Sequence, residues 1–163
     1  VNIEFSHSRK LLFAGDRVIP ATCDVRNELN GMRPRKGEPD VCRTILQTGE
    51  SGPPVMPRPF PIGTWKVNGF VRHDAVGPDG KPLEPYLYPW FIGTNANEEL
   101  DEWELDEHGF YAGKTGRKVE SWAYGFHFST SLTTLGCIRI SSEADLRWLR
   151  DNVQIGDTVK VTA

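Results

Sequence analysis

At 163 residues and 38% hydrophobic, the chain is long enough to bury one real core and too short for two comfortable ones. A formal net charge of -3 with a pI near 5.8, and no basic stripe or Lys/Arg run, argue against a nucleic-acid or anionic-membrane partner. No apolar run approaches the length of a spanning helix and no positively charged start leads into an apolar stretch, so the expectation is a trimmed mature domain or export by another route.

Val1 to Phe5 alternates apolar with polar and predicts a first strand. Lys10 to Phe13 and Arg17 to Cys23 predict a hairpin around a turn at Ala14-Gly15-Asp16. Asn27 to Pro39 is a polar loop broken by Asn30-Gly31, Pro34, Gly37 and Pro39, in which Arg33, Arg35 and Lys36 form a solvated face. Val41 to Gln47 reads as a short strand. Cys23 and Cys42 flank the loop. A disulfide between them would tether it and leave Cys137 free in an oxidising compartment, while two reduced, partly buried thiols are the alternative.

Pro61 to Val67 leads into a core strand, with Gly63 permitting a bend at its start. Asn68 to Pro89 is loop-rich around the turn Gly77-Pro78-Asp79-Gly80, and Leu87 to Gly93 is an aromatic strand. Between Asn97 and Glu107 lie Glu98, Glu99, Asp101, Glu102, Glu104, Asp106 and Glu107, whose self-repulsion predicts a solvated loop or at most a short amphipathic turn. This stretch lacks the Asp-x-Asp-x-Asp-Gly pattern of a calcium loop, and His7, His73, His108, Cys23 and Cys42 show no paired ligand spacing. No metal and no cofactor are expected.

After a turn-rich approach from His108 to Gly116, the chemistry concentrates between Tyr124 and Ile140. Tyr124 to Phe128 has the aromatic alternation of one strand and Cys137 to Ile140 the β-branched alternation of another, with Ser129 to Gly136 as the connecting loop. Folded as a hairpin, they would set His127 nearly opposite Cys137. A free thiol is only a few per cent thiolate at neutral pH, so a nucleophilic cysteine needs a neighbouring base or positive charge, for which His127 and Arg139 are the candidates. Gly136 would let substrate approach the backbone, so that the amides of Gly136 and Cys137 could hold an oxyanion. A buried core cysteine beside a hydrogen-bonded core histidine fits the same spacing. The order rules against a papain-like protease, whose cysteine lies far upstream of its histidine. Beyond the site, Ser142 with Asp145 is a helix cap, Leu146 and Leu149 share one helical face, and Thr158 to Thr162 closes the chain as a strand.

His127, Thr134, Gly136-Cys137-Ile138-Arg139, Asp145-Leu146 and Gly156-Asp157-Thr158-Val159 resemble the signature of L,D-transpeptidases with a YkuD-type catalytic domain. Pro61-Ile62-Gly63-Thr64-Trp65 resembles the family's Thr-Pro-x-Gly-x-Phe segment, with Phe60 replacing the threonine. Leu135 stands where the family usually carries a second histidine, and the interval from His127 to Cys137 is short, similar to some secreted effector and phage-associated members.

The resemblance implies a mainly-β, β-sandwich-type domain over residues 1–163 with one short C-terminal helix. It implies a cysteine enzyme acting on peptidoglycan stem peptides in the bacterial cell envelope or periplasm, or after secretion. Cys137 would be the nucleophile and His127 the base. Gly136, with Thr134 as a weaker neighbour, would serve the oxyanion, and Arg139 would hold a substrate carboxylate or pin its strand. Ser129, Ser131 or a backbone carbonyl would orient the imidazole. Trp122, Tyr124 and Phe128 are candidates for the cleft wall, although alternation favours the core for Phe126 and Phe128. Transpeptidase, L,D-carboxypeptidase and non-catalytic wall-binding module are the three outcomes this leaves open.

Overall fold

The computed structural model describes residues 1–24, 58–85, 87–105, 111–121, 124–129 and 136–163. The polar loop, Cys42, the strand expected at 41–47, His108, Trp122, Ser131, Thr134 and Leu135 lie outside them.

The chain opens with β1 (Ile3–Ser6), β2 (Leu11–Ala14) and β3 (Arg17–Thr22), paired antiparallel in sequence order as their alternation predicts. Next come β4 (Gly63–Arg72), β5 (Trp90–Thr94), β6 (Glu98–Leu105), β7 (Tyr111–Ser121), β8 (Gly125–Phe128) and β9 (Ile138–Ile140). Helix α1 (Glu143–Asn152) and β10 (Thr158–Thr162) end the chain. The hydrogen-bonded order β1-β10-β4-β5-β8-β9-β3-β2 closes on itself, and β6 and β7 form a separate two-stranded ribbon. This is the mainly-β, sandwich-like class with one short helix among the described residues.

Phe5, Leu12, Ile19, Ile92, Phe126, Ile138 and Ile140 fill the interior and are fully buried. Leu146 and Leu149 of α1 join that core, and α1 packs on β5, β8 and β9, the strands that carry the candidate site. The helix starts where Ser142 Oγ accepts the Asp145 N–H at 3.2 Å, satisfying one of the unpaired amides of its first turn. Burying two leucines on one face contributes about 1.5–3 kcal/mol each.

Two expectations are corrected. β4 runs on to Arg72, so the loop-rich stretch starts later than Asn68, although the Gly77–Gly80 turn is present with Gly80 N–H donating to Gly77 O at 2.9 Å. The acidic stretch is neither loop nor helical turn but strand β6. Two of its carboxylates are matched across the ribbon: Asp101 pairs with Lys114 (3.0 Å) and Lys118 (2.6 Å), and Glu102 with Arg117 (2.8 Å). At these positions opposite charges on the facing strand offset the self-repulsion that argued against order, while Glu99 faces Glu120.

Candidate active site

β8 and β9 lie side by side in parallel, with Phe126 level with Ile138, His127 with Arg139 and Phe128 with Ile140. The expected hairpin is therefore not formed. Alternation sends Phe126, Ile138 and Ile140 into the core and assigns His127, Cys137 and Arg139 to the other face. Continuing the register back one residue sets Cys137 beside Gly125, whose backbone N–H is hydrogen-bonded to the thiol. Cys137 immediately precedes β9, and by that register it falls diagonally from His127 across the β8–β9 pair.

His127 is half-buried, and its Nδ1 lies 3.2 Å from the backbone oxygen of Phe128. With Nδ1–H donating to that carbonyl, Nε2 keeps its lone pair and can accept a proton. Among the described residues, the backbone carbonyl of Phe128 is one such orienting group; Ser131 lies outside them. Burial holds the imidazole below its ordinary pKa of 6.5; the Phe128 carbonyl opposes this and the Arg139 charge adds to it. Cys137 is half-buried and not disulfide-bonded. Burial pushes its thiol up to about 11, against the lowering by the Gly125 N–H. Burial thus pushes both the thiol and the imidazole toward their neutral forms.

Arg139 is 5% exposed. Its Nη1 donates to Thr22 Oγ1 at 3.3 Å and its Nη2 to Ser129 O at 3.1 Å, while its buried Nε has no hydrogen-bond partner among the described residues. Ser129 is tied in by its backbone on both sides, its N–H donating to Ile140 O at 3.1 Å. Desolvation lowers the Arg139 pKa and the charge of Asp24 opposes that.

Gly136 has φ +133°, and a Cβ there would lie 2.7 Å from the Arg58 carbonyl oxygen and 2.8 Å from Tyr124 Cε1. On the side where a Cβ would project, the space is filled by the protein itself, so the position admits only glycine. Tyr124 is likewise no cleft wall. It is 3% exposed, packs edge-on to Phe60 at 5.5 Å, and its carbonyl accepts from Thr94 N at 3.1 Å and Thr94 Oγ1 at 2.7 Å.

In sequence, the model of the YkuD family, the L,D-transpeptidase catalytic domain, matches residues 47–161. The chain belongs to that family. No curated protein matches this L,D-transpeptidase-family chain in sequence. Solved structures similar to it include an L,D-transpeptidase from Xylanimonas cellulosilytica, at 17% identity and TM-score 0.48, covering 98% of this chain and 58% of that one. Another, from Mycobacterium tuberculosis, is 18% identical with TM-score 0.49, covering 100% of this chain and 57% of that one. L,D-transpeptidase 1 of the same organism is 17% identical with TM-score 0.47, covering 99% and 61%. The chain spans less than two thirds of the length of each, and the family assignment rests on the sequence match alone.

Two further residues of this L,D-transpeptidase-family domain bear on the site and escaped the sequence reading. Gly125 has no room for a side chain, since a Cβ would collide with the Ile92 carbonyl and lie 2.6 Å from Phe91 Cζ. A glycine inside a strand pattern is the usual sign of such close approach. Cys23 is a free thiol, 6% exposed, which fits the reduced, buried alternative and not the disulfide. Its inward position follows the period-two burial of Ile19, Ala21 and Cys23, a signal the reading of β3 did not use.

Proposed function

We propose that Cys137 is the nucleophile of a peptidoglycan L,D-transpeptidase in the bacterial cell envelope or periplasm, or secreted, and that His127 is its base. The observation that carries this is the pairing of β8 with β9, which sets a neutral imidazole with its Nδ1 tied to the Phe128 carbonyl diagonally from a thiol. The substrate is a tetrapeptide stem. Cys137 Sγ attacks the carbonyl that precedes the terminal D-alanine while Nε2 of His127 takes the thiol proton. The C–N bond then breaks, His127 returns the proton to the amine, and D-alanine leaves behind a thioester. An acceptor amine resolves the thioester to a new amide.

The backbone amides of Gly136 and Cys137 serve the oxyanion, with Thr134 beside them. Arg139 suits a substrate carboxylate as a buried cation whose partners among the described residues, Thr22 Oγ1 and the Ser129 carbonyl, are neutral. Ser129 acts through its carbonyl on Arg139, and Tyr124 acts by packing against Gly136. Hydrolysis of the same thioester, an L,D-carboxypeptidase reaction, is the second reading. It is favoured by Leu135, which cannot supply what the family's usual second histidine would.

Incubation with tetrapeptide stems, with and without an added amine, tests the assignment. Transpeptidation predicts D-alanine release with amide product that grows with amine. Release of D-alanine with tripeptide alone, unchanged by amine, would establish the carboxypeptidase. Unaltered affinity for wall fragments without any turnover would point to a binding module.

A further inference from the structure

Cys23 sits at the end of β3, buried, and bridges two segments distant in sequence. It accepts the Phe60 N–H at 3.2 Å and donates its S–H to the Gly136 carbonyl at 3.2 Å. Phe60 is held on its other side by His7, whose Nε2 lies 2.9 Å from the Phe60 carbonyl oxygen. Gly136 is confined by the Arg58 carbonyl and the Tyr124 ring, so its peptide has little freedom to turn once its oxygen is held.

In a trans peptide the carbonyl of one residue and the N–H of the next point in opposite directions. The Gly136 carbonyl is drawn toward the buried sulfur, so the Cys137 N–H is directed away from it. We infer that Cys23 is a positioning residue: by holding the Gly136 carbonyl it sets the plane of the Gly136–Cys137 peptide, and with it the direction in which the Cys137 amide can meet a developing oxyanion. This inference rests on the acyl-transfer reading above. Burial pushes the Cys23 thiol up to about 12, which keeps it protonated and so able to donate at any pH at which the enzyme works. A core cysteine that merely filled space would need neither bond.

The test compares the full chain with Cys23→Ser, which keeps a donor and acceptor, and with Cys23→Val and Cys23→Ala, which do not, each shown folded by thermal unfolding. Acylation by a tetrapeptide stem is followed by intact mass, alkylation of Cys137 by iodoacetamide by peptide mapping, and the Gly136 carbonyl and Cys137 amide by NMR. Cys23→Val and Cys23→Ala are expected to lose about 10- to 100-fold in acylation at saturating substrate with KM unchanged, and Cys23→Ser to stay within about threefold of the parent. Alkylation, which forms no oxyanion, is expected to stay within about twofold throughout, and the two resonances to move in the Val and Ala variants.

Parent-like acylation in Cys23→Val and Cys23→Ala would overturn the inference, as would acylation and alkylation falling together. Unmoved resonances would overturn it whatever the kinetics. If the parent chain forms no acyl-enzyme, the acyl-transfer reading fails and the resonances alone decide whether Cys23 sets the peptide plane.

Discussion

His127 and Arg139 stand level across the parallel β8–β9 ladder, so the imidazole shares its face with a guanidinium that is 5% exposed and bound to neutral oxygens. The positive charge helps to keep His127 neutral. The same contacts anchor the Ser129 carbonyl at the end of β8 and Thr22 on β3.

Arg139→Met should therefore act twice. Removing the charge raises the His127 pKa, so the acid limb of the pH–rate profile moves to higher pH. Removing the donor to Ser129 costs about 1.5–3 kcal/mol of stability, the range for hydrogen bonds from charged groups. Arg139→Lys should restore the charge effect but only part of the stability, since an ammonium lacks the planar fork that spans both oxygens. Urea unfolding and the pH profile of each variant check both effects.

The push of burial toward a neutral thiol and a neutral imidazole predicts a particular pH behaviour. His127 must be unprotonated to accept the thiol proton, and its pKa lies below 6.5, so kcat/KM should rise with pH through a value under 6.5 and then stay level. The thiol ionises near 11, so alkylation by iodoacetamide should keep increasing past pH 9. A preformed thiolate–imidazolium pair would instead give alkylation that is already fast and flat at neutral pH.

Gly136→Ala should be strongly destabilising. Its φ of +133° carries a strain on the order of 1–3 kcal/mol for a residue with a Cβ. The new methyl would also press on the Arg58 carbonyl and the Tyr124 ring, adding about 1–3 kcal/mol of overpacking. Thermal unfolding of the variant reads the sum, and a melting temperature equal to that of the parent would contradict the packing described.

Asp101 ties β6 to β7 through Lys118 and Lys114, whose hydrogen bonds lower its pKa to about 2. A depressed carboxylate pKa gives stability that is present above the ordinary value of 3.8 and lost as pH falls through about 2. The ribbon's amide protection factors, taken against intrinsic exchange at the same pH, should thus fall at strongly acid pH. Asp101→Asn should lower that protection at neutral pH, since it weakens the pairs with Lys114 and Lys118.

What could be read from the sequence was local. The alternation in β1 to β3, the Ser142 cap and the Leu146–Leu149 face each concern residues a few positions apart, and all are found where the pattern put them. The direction of pairing between β8 and β9 is not written in either strand, since both directions give the same period-two pattern. The acidic strand is not legible locally because Asp101 and Glu102 find their counter-charges, Lys114, Lys118 and Arg117, on another strand. Tyr124 looked like a cleft residue by chemistry and is core by contact, and Cys23 is a partner of Gly136 across more than a hundred residues.

The central claim, that Cys137 forms a thioester with the stem peptide, is tested most directly by intact-protein mass spectrometry of the parent chain and Cys137→Ala after incubation with tetrapeptide muropeptides, with released D-alanine quantified in parallel. The account predicts an acyl adduct and D-alanine release in the parent, with both absent from the variant. Equal D-alanine release by Cys137→Ala would contradict it, as would a folded parent with reduced Cys137 that shows neither adduct nor turnover.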